Sequence, residues 1–231
     1  INSVTENEAE FVREFVDSAL AHHDLSQTRV CLDITGFIRP HMMFLVKLLV
    51  AEGVKTLDVI YSEPKQYSKR ERTEFSDKAV TSVRQVTGFE GYIDNNTMND
   101  VLVIGAGYES HLIAEVAEDK EKADRVVIFG LPSLRADMYQ QNRLRVNEAS
   151  DSIGDTATAK FFAPANDPLV AATVLSELVE KRDAKSRITN LYLAPLATKA
   201  QALGFVLFYL NECTGRAASI LYPFSAKYSP D

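Results

Sequence analysis

Three acidic residues lie near the ends of short apolar runs, where carboxylates could act as acids, bases or metal ligands. Asp33 lies in the run RVCLDI, Glu63 follows a run that ends at Tyr61, and Glu109 follows the run VLVI. Carboxylates in a shared cleft can transfer protons or bind a divalent cation. No spacing among the three is specific to one reaction, so they are candidate catalytic groups of a hydrolase or transferase.

Cationic and hydroxyl side chains also follow apolar runs, where they could bind an anion. Thr198 and Lys199 stand at a predicted helix start, and such a pair can hold an anionic group against backbone N–H donors. Arg39 and Arg135 follow the first and fourth main strands, and a guanidinium binds phosphate or carboxylate with two hydrogen bonds. The two arginines would be neighbours if those strands flank the point where the strand order reverses.

The segment Gly105–Ser110 (GAGYES) is a partial match to a dinucleotide-binding loop. Ser110 stands where the third glycine or alanine is expected, and Glu109 places a negative charge beside the phosphate position. A nicotinamide oxidoreductase is therefore a minor alternative, and Tyr108 is a candidate for stacking on a base. The predicted ligand-binding residues are Thr35, Gly36, Arg39, Gly105, Gly107, Tyr108, Arg135, Asn166, Thr198 and Lys199.

Several function classes are disfavoured by what the sequence lacks. The chain has no Walker A loop, no HExxH, no Cys-x-x-Cys and no G-x-S-x-G, so we predict no metal site and leave the cofactor open. A net charge of −7 argues against binding duplex nucleic acid. Cys31 and Cys213 are the two cysteines, which favours a reduced, cytoplasmic setting, and Cys31 is expected inside a buried strand.

The elements that position these residues alternate along the chain. Short apolar runs of the kind expected for buried strands are each followed by a helical pattern. This order predicts an α/β fold: a doubly wound, mainly parallel, Rossmann-like sheet of about seven strands in one domain, residues 1–231. In such a sheet, ligands bind at the carboxyl ends of the strands. No apolar run is long enough to span a membrane.

Two segments stand outside this alternation. Residues 1–28 contain an amphipathic pattern that predicts a leading helix. Residues 63–99 begin with a charged stretch and continue with the apolar run Val80–Val86, which predicts an inserted flap with an edge strand or hairpin.

The C-terminal part of the chain is similar to the closing unit of CARF and SAVED domains. The residues that carry the likeness are Asn190–Pro195, Gln201–Phe205 and Ile220–Pro223, a strand, a helix with small residues and a strand that ends in tyrosine. The resemblance covers less than a fifth of the chain. It implies a Rossmann-like sensor of prokaryotic defence systems that binds a cyclic oligonucleotide at the carboxyl ends of its strands.

The sequence therefore favours a ligand-binding sensor domain for a nucleotide or another phosphorylated small molecule. Its occupancy would pass to a fused or associated effector, and a homodimer is an assembly left open. A hydrolase or transferase that acts on a nucleotide or sugar phosphate is the first alternative. A structural protein-interaction module is the second, and none of the three readings involves a membrane.

Overall fold

The computed structural model describes residues 8–20, 22–62, 80–135, 138–153 and 159–225. The chain divides into two compact units. The first, here called the N-terminal unit, comprises Ile1–Glu63 and Val86–Phe89; the second, the C-terminal unit, comprises Pro64–Gln85 and Glu90–Asp231.

The N-terminal unit contains a β-α-β element preceded by a helix. Its elements are α1 (Glu8–Leu20), β1 (Val30–Asp33), α2 (Arg39–Ala51) and β2 (Leu57–Ile60). Strands β1 and β2 pair in parallel and form what we call the small sheet. Helix α1 buries Val12 and Val16, and its Phe11 ring stacks on His41 of α2 with 4.6 Å between ring centroids. The predicted leading helix is confirmed.

Strand β1 is less buried than the sequence suggested. Leu32 is buried, but its neighbours Cys31 and Asp33 are exposed. Successive side chains of a strand point to opposite faces, so this burial pattern means that β1 covers a core on one face only. The expectation that Cys31 lies inside a buried strand was wrong, because a run of four to six apolar residues does not show by itself how many faces are covered.

The C-terminal unit contains a second sheet, here called the large sheet. Its strands are β3 (Val80–Gln85), β4 (Val101–Gly105), β5 (Asp124–Gly130), β6 (Ala159–Ala163), β7 (Leu191–Pro195) and β8 (Ala218–Ser225). Its helices are α3 (Ser110–Asp119), α4 (Met138–Glu148), α5 (Ser150–Ile153), α6 (Pro168–Lys185) and α7 (Lys199–Glu212). Among the described residues the strand order is β3-β8-β7-β4-β5-β6.

The large sheet is mainly parallel. Among its described strands, β3 is the one that runs antiparallel, along β8. The α/β class, the mainly parallel sheet and the alternating helices are therefore confirmed. The described strands are shared between a six-stranded and a two-stranded sheet, where the sequence predicted one sheet of about seven.

The two central strands of the large sheet, β4 and β7, lie in the core. All residues of β4 (VLVIG) and of β7 (LYLAP) are buried. Such continuous burial is typical of parallel strands that helices cover on both faces. The chain passes from β4 to β5 and β6 on one side, then returns to place β7 on the other side of β4. The strand order therefore reverses between β4 and β7.

The predicted edge strand corresponds to β3, which lies at one edge of the large sheet. The guanidinium of Arg84 in β3 lies 3.6 Å from the centroid of the Phe224 ring on β8, a cation–π contact that supports this pairing. Of the predicted insertion, residues 63–99, the charged first part, residues 63–79, lies outside the described residues. Within the described part of the chain, no helix has both the length and the apolarity needed to cross a membrane.

Candidate functional site

The candidate site lies where the strand order of the large sheet reverses. Strands β4 and β7 are parallel neighbours, so α3 and α7, which follow them, both begin at the same edge of the sheet. We call this side of the sheet, where the parallel strands end, the carboxyl edge. It includes the loops after β4, β5, β6 and β7. Open α/β sheets bind ligands at such a reversal, because adjacent helix N-termini there diverge to opposite faces of the sheet.

The loops after β4 and β7 touch each other at this edge. A Cβ atom at Gly107 would lie 2.1 Å from the backbone oxygen of Leu196, and one at Gly105 would lie 3.1 Å from the Phe205 ring. An added Cβ at Gly107 would therefore clash with backbone, whereas one at Gly105 would require the Phe205 ring to shift by a few tenths of an ångström. At Gly107 the close approach is to the Leu196 carbonyl, whereas the sequence motif suggested a close approach to a phosphate.

A buried amide fixes the loop after β4. The Asn142 Nδ2 of α4 donates to the backbone oxygens of Ala106, at 2.6 Å, and Gly107, at 3.2 Å. Asn142 is 5% exposed, and its Oδ1 has no hydrogen-bond partner among the described residues. The loop that resembles a dinucleotide-binding turn is therefore held between α4 and the loop after β7.

A second buried amide attaches α7 to the loop after β6. Gln201 is 1% exposed, and its Nε2 donates to the backbone oxygen of Ala163 at 3.0 Å. Thr198, the N-cap of α7, donates through Oγ1 to the Ala165 oxygen and accepts from the Gln201 N–H at 3.2 Å. The first turn of α7 is therefore fixed to both neighbouring loops of the carboxyl edge.

Glu109 occupies the N-cap position of α3 and is buried. Its side chain makes no capping hydrogen bond. A negative charge is favourable at the N-terminus of a helix because of the helix dipole, but it repels a second anion at the same place. The start of α3 is therefore a poorer phosphate position than the start of α7, where Lys199 supplies a positive charge.

The predicted site residues of the C-terminal unit lie along the carboxyl edge. Arg135 and Asn166 are exposed, and Tyr108, Thr198 and Lys199 are partly buried. The backbone N–H of Leu131 donates to the oxygen of Ala163, which joins the loop of Arg135 to the end of β6. The residues placed at this edge are Gly105, Gly107, Tyr108, Glu109, Arg135, Asn166, Thr198 and Lys199.

The remaining described candidates belong to the N-terminal unit. The Asp33 Oδ1 accepts the Thr35 N–H at 2.8 Å, and the Thr35 Oγ1 accepts the Ser62 N–H at 2.9 Å. These bonds fix the turn after β1 to the end of β2, so Asp33 anchors a turn. Gly36 has open space beside it, and Arg39 is the first residue of α2. Glu63 lies outside the described residues.

One premise about the arginines differs from the structure. Arg39 and Arg135 would be neighbours on the condition that the first and fourth strands flank the reversal. In the described sheets, β1 pairs with β2 in the small sheet, and the strands at the reversal are β4 and β7. The pairing of Arg39 with Arg135 therefore loses its argument from strand order.

Sequence reasoning missed Asn142 and Gln201. Asn142 lies in the polar helix sequence MYQQNRLRVNE, which contains no pattern to separate a buried amide from a surface one. Gln201 gives a weak signal, since it is a polar residue near the start of an otherwise apolar helix, KAQALGFVLFYLNE. Within the described part of the chain, no group of three or more His, Cys, Asp or Glu side chains is placed to hold a metal ion.

Comparison with known proteins finds no family model, no curated protein and no solved structure that matches this chain.

Proposed function

We propose that this protein binds a nucleotide or another phosphorylated small molecule at the carboxyl edge of the large sheet. The observation that carries the proposal is the reversal of strand order between β4 and β7. In open α/β sheets the loops at a reversal form the common ligand-binding place, because neighbouring helices leave it in opposite directions.

The start of α7 is the position that we assign to the phosphate. The N-terminus of a helix carries a partial positive charge and N–H groups that point outward, and both favour an anion. Lys199 adds a full positive charge there, while Glu109 makes the start of α3 unfavourable. The ligand would then place its phosphate beside Lys199 and the rest of the molecule along the loops after β4 and β6.

The proposal includes a more specific role, that of a sensor. The unit β7-α7-β8 is the segment that is similar to CARF and SAVED domains, and the proposed phosphate position belongs to it. A cyclic oligonucleotide is therefore the first ligand to test. A fused or associated effector would respond to this binding. Helix α7 packs closely on α6 at Gly204, where a Cβ would lie 2.6 Å from the Ala171 Cβ, so a shift of α7 on binding would also move α6.

A ligand panel tests this function. Nucleoside mono-, di- and triphosphates, sugar phosphates and cyclic oligonucleotides would be screened by thermal shift, and any ligand found would be titrated by calorimetry. A ligand at a hundredfold excess over its Kd stabilises the folded protein by about 2.7 kcal/mol. We expect Lys199→Ala to weaken binding about tenfold, through loss of a charge-assisted hydrogen bond.

Lys185→Ala is the matched control, because Lys185 is an exposed lysine at the C-terminal end of α6 and not at the carboxyl edge. It should bind like the wild type. The proposal fails if no member of the panel stabilises the protein, or if Lys199→Ala binds a phosphorylated ligand as tightly as the wild type does.

A further inference from the structure

A cavity lies at the amino ends of β7 and β8, in the C-terminal unit. It has a volume of about 580 Å³, within the range of small-molecule sites. The loop before β4 forms one wall, and the connections α6–β7 and α7–β8 form the others. We call this region the amino-edge cavity. Its chemically distinctive lining residues are Tyr92, Asp94, Asp183, Arg187, Glu212 and Arg216.

A buried amide fixes the wall formed by the loop before β4. Asn190 is 1% exposed, and its Nδ2 donates to the backbone oxygens of Asp94, at 3.1 Å, and Asn96, at 3.2 Å. The same nitrogen donates to the Asp100 Oδ1 at 2.8 Å, and the Asn190 Oδ1 accepts the Asp94 N–H at 2.7 Å. Both ends of the amide are used, so the shape of this wall is set within the protein itself.

Asp100 extends this network to β7. Its Oδ1 accepts the Thr189 hydroxyl at 2.6 Å, and its Oδ2 accepts the Tyr192 hydroxyl at 3.5 Å. Burial raises the pKa of Tyr192 to about 12, and the charge of Asp100 acts in the same direction. The phenol therefore stays protonated and remains a donor at any physiological pH.

The connections after α6 and α7 carry the positive charges of the cavity. Arg216 donates to Asp183 through Nη1, at 2.8 Å, and Nη2, at 3.1 Å. Burial acts to raise the pKa of Asp183, but these bonds, the Ile188 N–H and the charges of Arg216 and Arg187 outweigh it and lower that pKa. Arg187 is exposed and makes no hydrogen bond or ion pair with any described residue.

Negative charge lines other parts of the same cavity. Asp94 and Glu212 are exposed. Within the described part of the chain each carboxylate accepts one hydrogen bond, from the Asn96 N–H at 2.9 Å and from the Ser176 hydroxyl at 2.9 Å respectively. A carboxylate can accept more than one hydrogen bond, so both side chains can accept further hydrogen bonds from a ligand. The C-terminal ends of α6 and α7 add partial negative charge. The exposed ring of Tyr92 supplies an apolar surface.

We infer that the amino-edge cavity binds a zwitterionic small molecule of the α-amino-acid class, with its carboxylate on Arg187 and its ammonium group near Asp94 and Glu212. The guanidinium of Arg187 can bind a carboxylate with two hydrogen bonds. A ligand with charge of one sign would meet like charges in this cavity, and that repulsion selects against it. The Tyr92 ring offers a contact for the side chain of the ligand.

The experiment is a titration of the whole protein by calorimetry. The probes are phenylalanine, leucine, glutamate and lysine, each compared with its N-acetyl form and its C-terminal amide. We expect at least one free amino acid to bind. Blocking either charged group should raise its Kd about tenfold or more, because each block removes a charge-assisted hydrogen bond.

Substitutions at the two ends of the proposed site test whether the amino acid binds there. Arg187→Ala, an exposed position, should raise the Kd of the free amino acid about tenfold and leave its C-terminal amide little changed. Asp94→Asn keeps an acceptor for the Asn96 N–H and should weaken the free amino acid but not its N-acetyl form. Lys185→Ala, on the same helix end but outside the cavity lining, is the control and should bind normally.

The inference is overturned if none of the four amino acids binds, or if the blocked forms bind as tightly as the free ones. It is also overturned if Arg187→Ala leaves the affinity unchanged. Lys199→Ala should not alter this binding, so the result is independent of the phosphate site proposed at the carboxyl edge.

Discussion

The connections at the carboxyl ends and at the amino ends of the strands of the large sheet pack differently. At the carboxyl edge the loops pack on one another, with Gly107 against the Leu196 carbonyl. At the amino edge the connections stay apart around a cavity of about 580 Å³. The sequence directed attention to the carboxyl ends of the strands, because turn residues rich in Asn, Asp, Thr and Gly follow them. It did not indicate the cavity at the amino ends, since residue types in turns do not show how the turns are arranged in space.

The buried amides of the two edges differ as well. Asn142 and Gln201 at the carboxyl edge each use the nitrogen, while the side-chain oxygen of each has no partner among the described residues. Asn190 at the amino edge uses both. An unpartnered buried acceptor costs free energy, so Asn190 should contribute more to stability than either amide at the other edge.

The largest effect is expected from Gly107→Ala. The new Cβ would clash with the Leu196 backbone oxygen, and a backbone atom cannot move aside cheaply, so unfolding free energy should fall by about 3 kcal/mol. Urea denaturation followed by circular dichroism measures this. Gly36→Ala makes the same chemical change in open space and should shift stability by less than about 0.5 kcal/mol. Equal effects of the two variants would contradict the close packing of the carboxyl edge.

A comparison of Asn190→Ala with Gln201→Ala tests the two edges directly. Asn190→Ala removes a hub of four hydrogen bonds and should cost about 2–3 kcal/mol of unfolding free energy. Gln201→Ala removes one side-chain hydrogen bond and should cost about 1 kcal/mol. Chemical denaturation of both variants gives the order. A larger loss for Gln201→Ala would reverse the contrast drawn between the edges.

Arg216→Ala should destabilise the protein in a pH-dependent way. Loss of a two-bond ion pair that is partly exposed should cost about 1–2 kcal/mol near neutral pH. The folded pKa of Asp183 lies below its ordinary value of 3.8, so the stabilisation is complete above that value and is lost as pH falls through the folded pKa. Denaturation at pH 7 and at a series of pH values well below 3.8 should therefore show the variant and the wild type converging as the pH falls through the folded pKa of Asp183. A constant difference across this range would count against the ion pair.

An effect at the lower end of this range is expected at Gly215, beside the amino-edge cavity. Its φ of +75° is a conformation that other residues adopt at a cost of about 1 kcal/mol, and nothing lies within 4 Å of an added Cβ. Gly215→Ala should therefore lower the unfolding free energy by about that amount, through backbone strain alone. Thermal unfolding measures it, with Gly215→Asn as the control, because asparagine tolerates this conformation better. An alanine variant as stable as the wild type would show that the turn relaxes.

Much of the fold follows from the sequence because its strongest signals are local. The runs VLVI and RVVIF, each followed by a helical pattern, predict buried parallel strands, and β4 and β5 lie there. Strand order is different, because it depends on contacts between distant segments that no local pattern records. The sequence therefore did not reveal that β1 pairs with β2 in a separate sheet, nor that the reversal lies between β4 and β7.

The candidate site was predictable only in part, for a related reason. Strand ends locate Gly107 and Thr198 at one edge, since the carboxyl ends of parallel strands share an edge. Asn142 was missed because burial of a polar side chain depends on which surface its helix meets. The amino-edge cavity was missed because Arg187 and Arg216 look like ordinary surface arginines in the sequence, and only the turns between α6, β7, α7 and β8 bring them together.

The Asn190 network has a consequence for hydrogen exchange. The residues before β4 have no regular secondary structure, and a segment of this kind usually exchanges its amide protons quickly. The amide proton of Asp94, however, is donated to the Asn190 side chain, which solvent barely reaches. Its exchange should therefore be nearly as slow as that of the amides in β7. Part of this irregular loop would then open as rarely as the neighbouring strand.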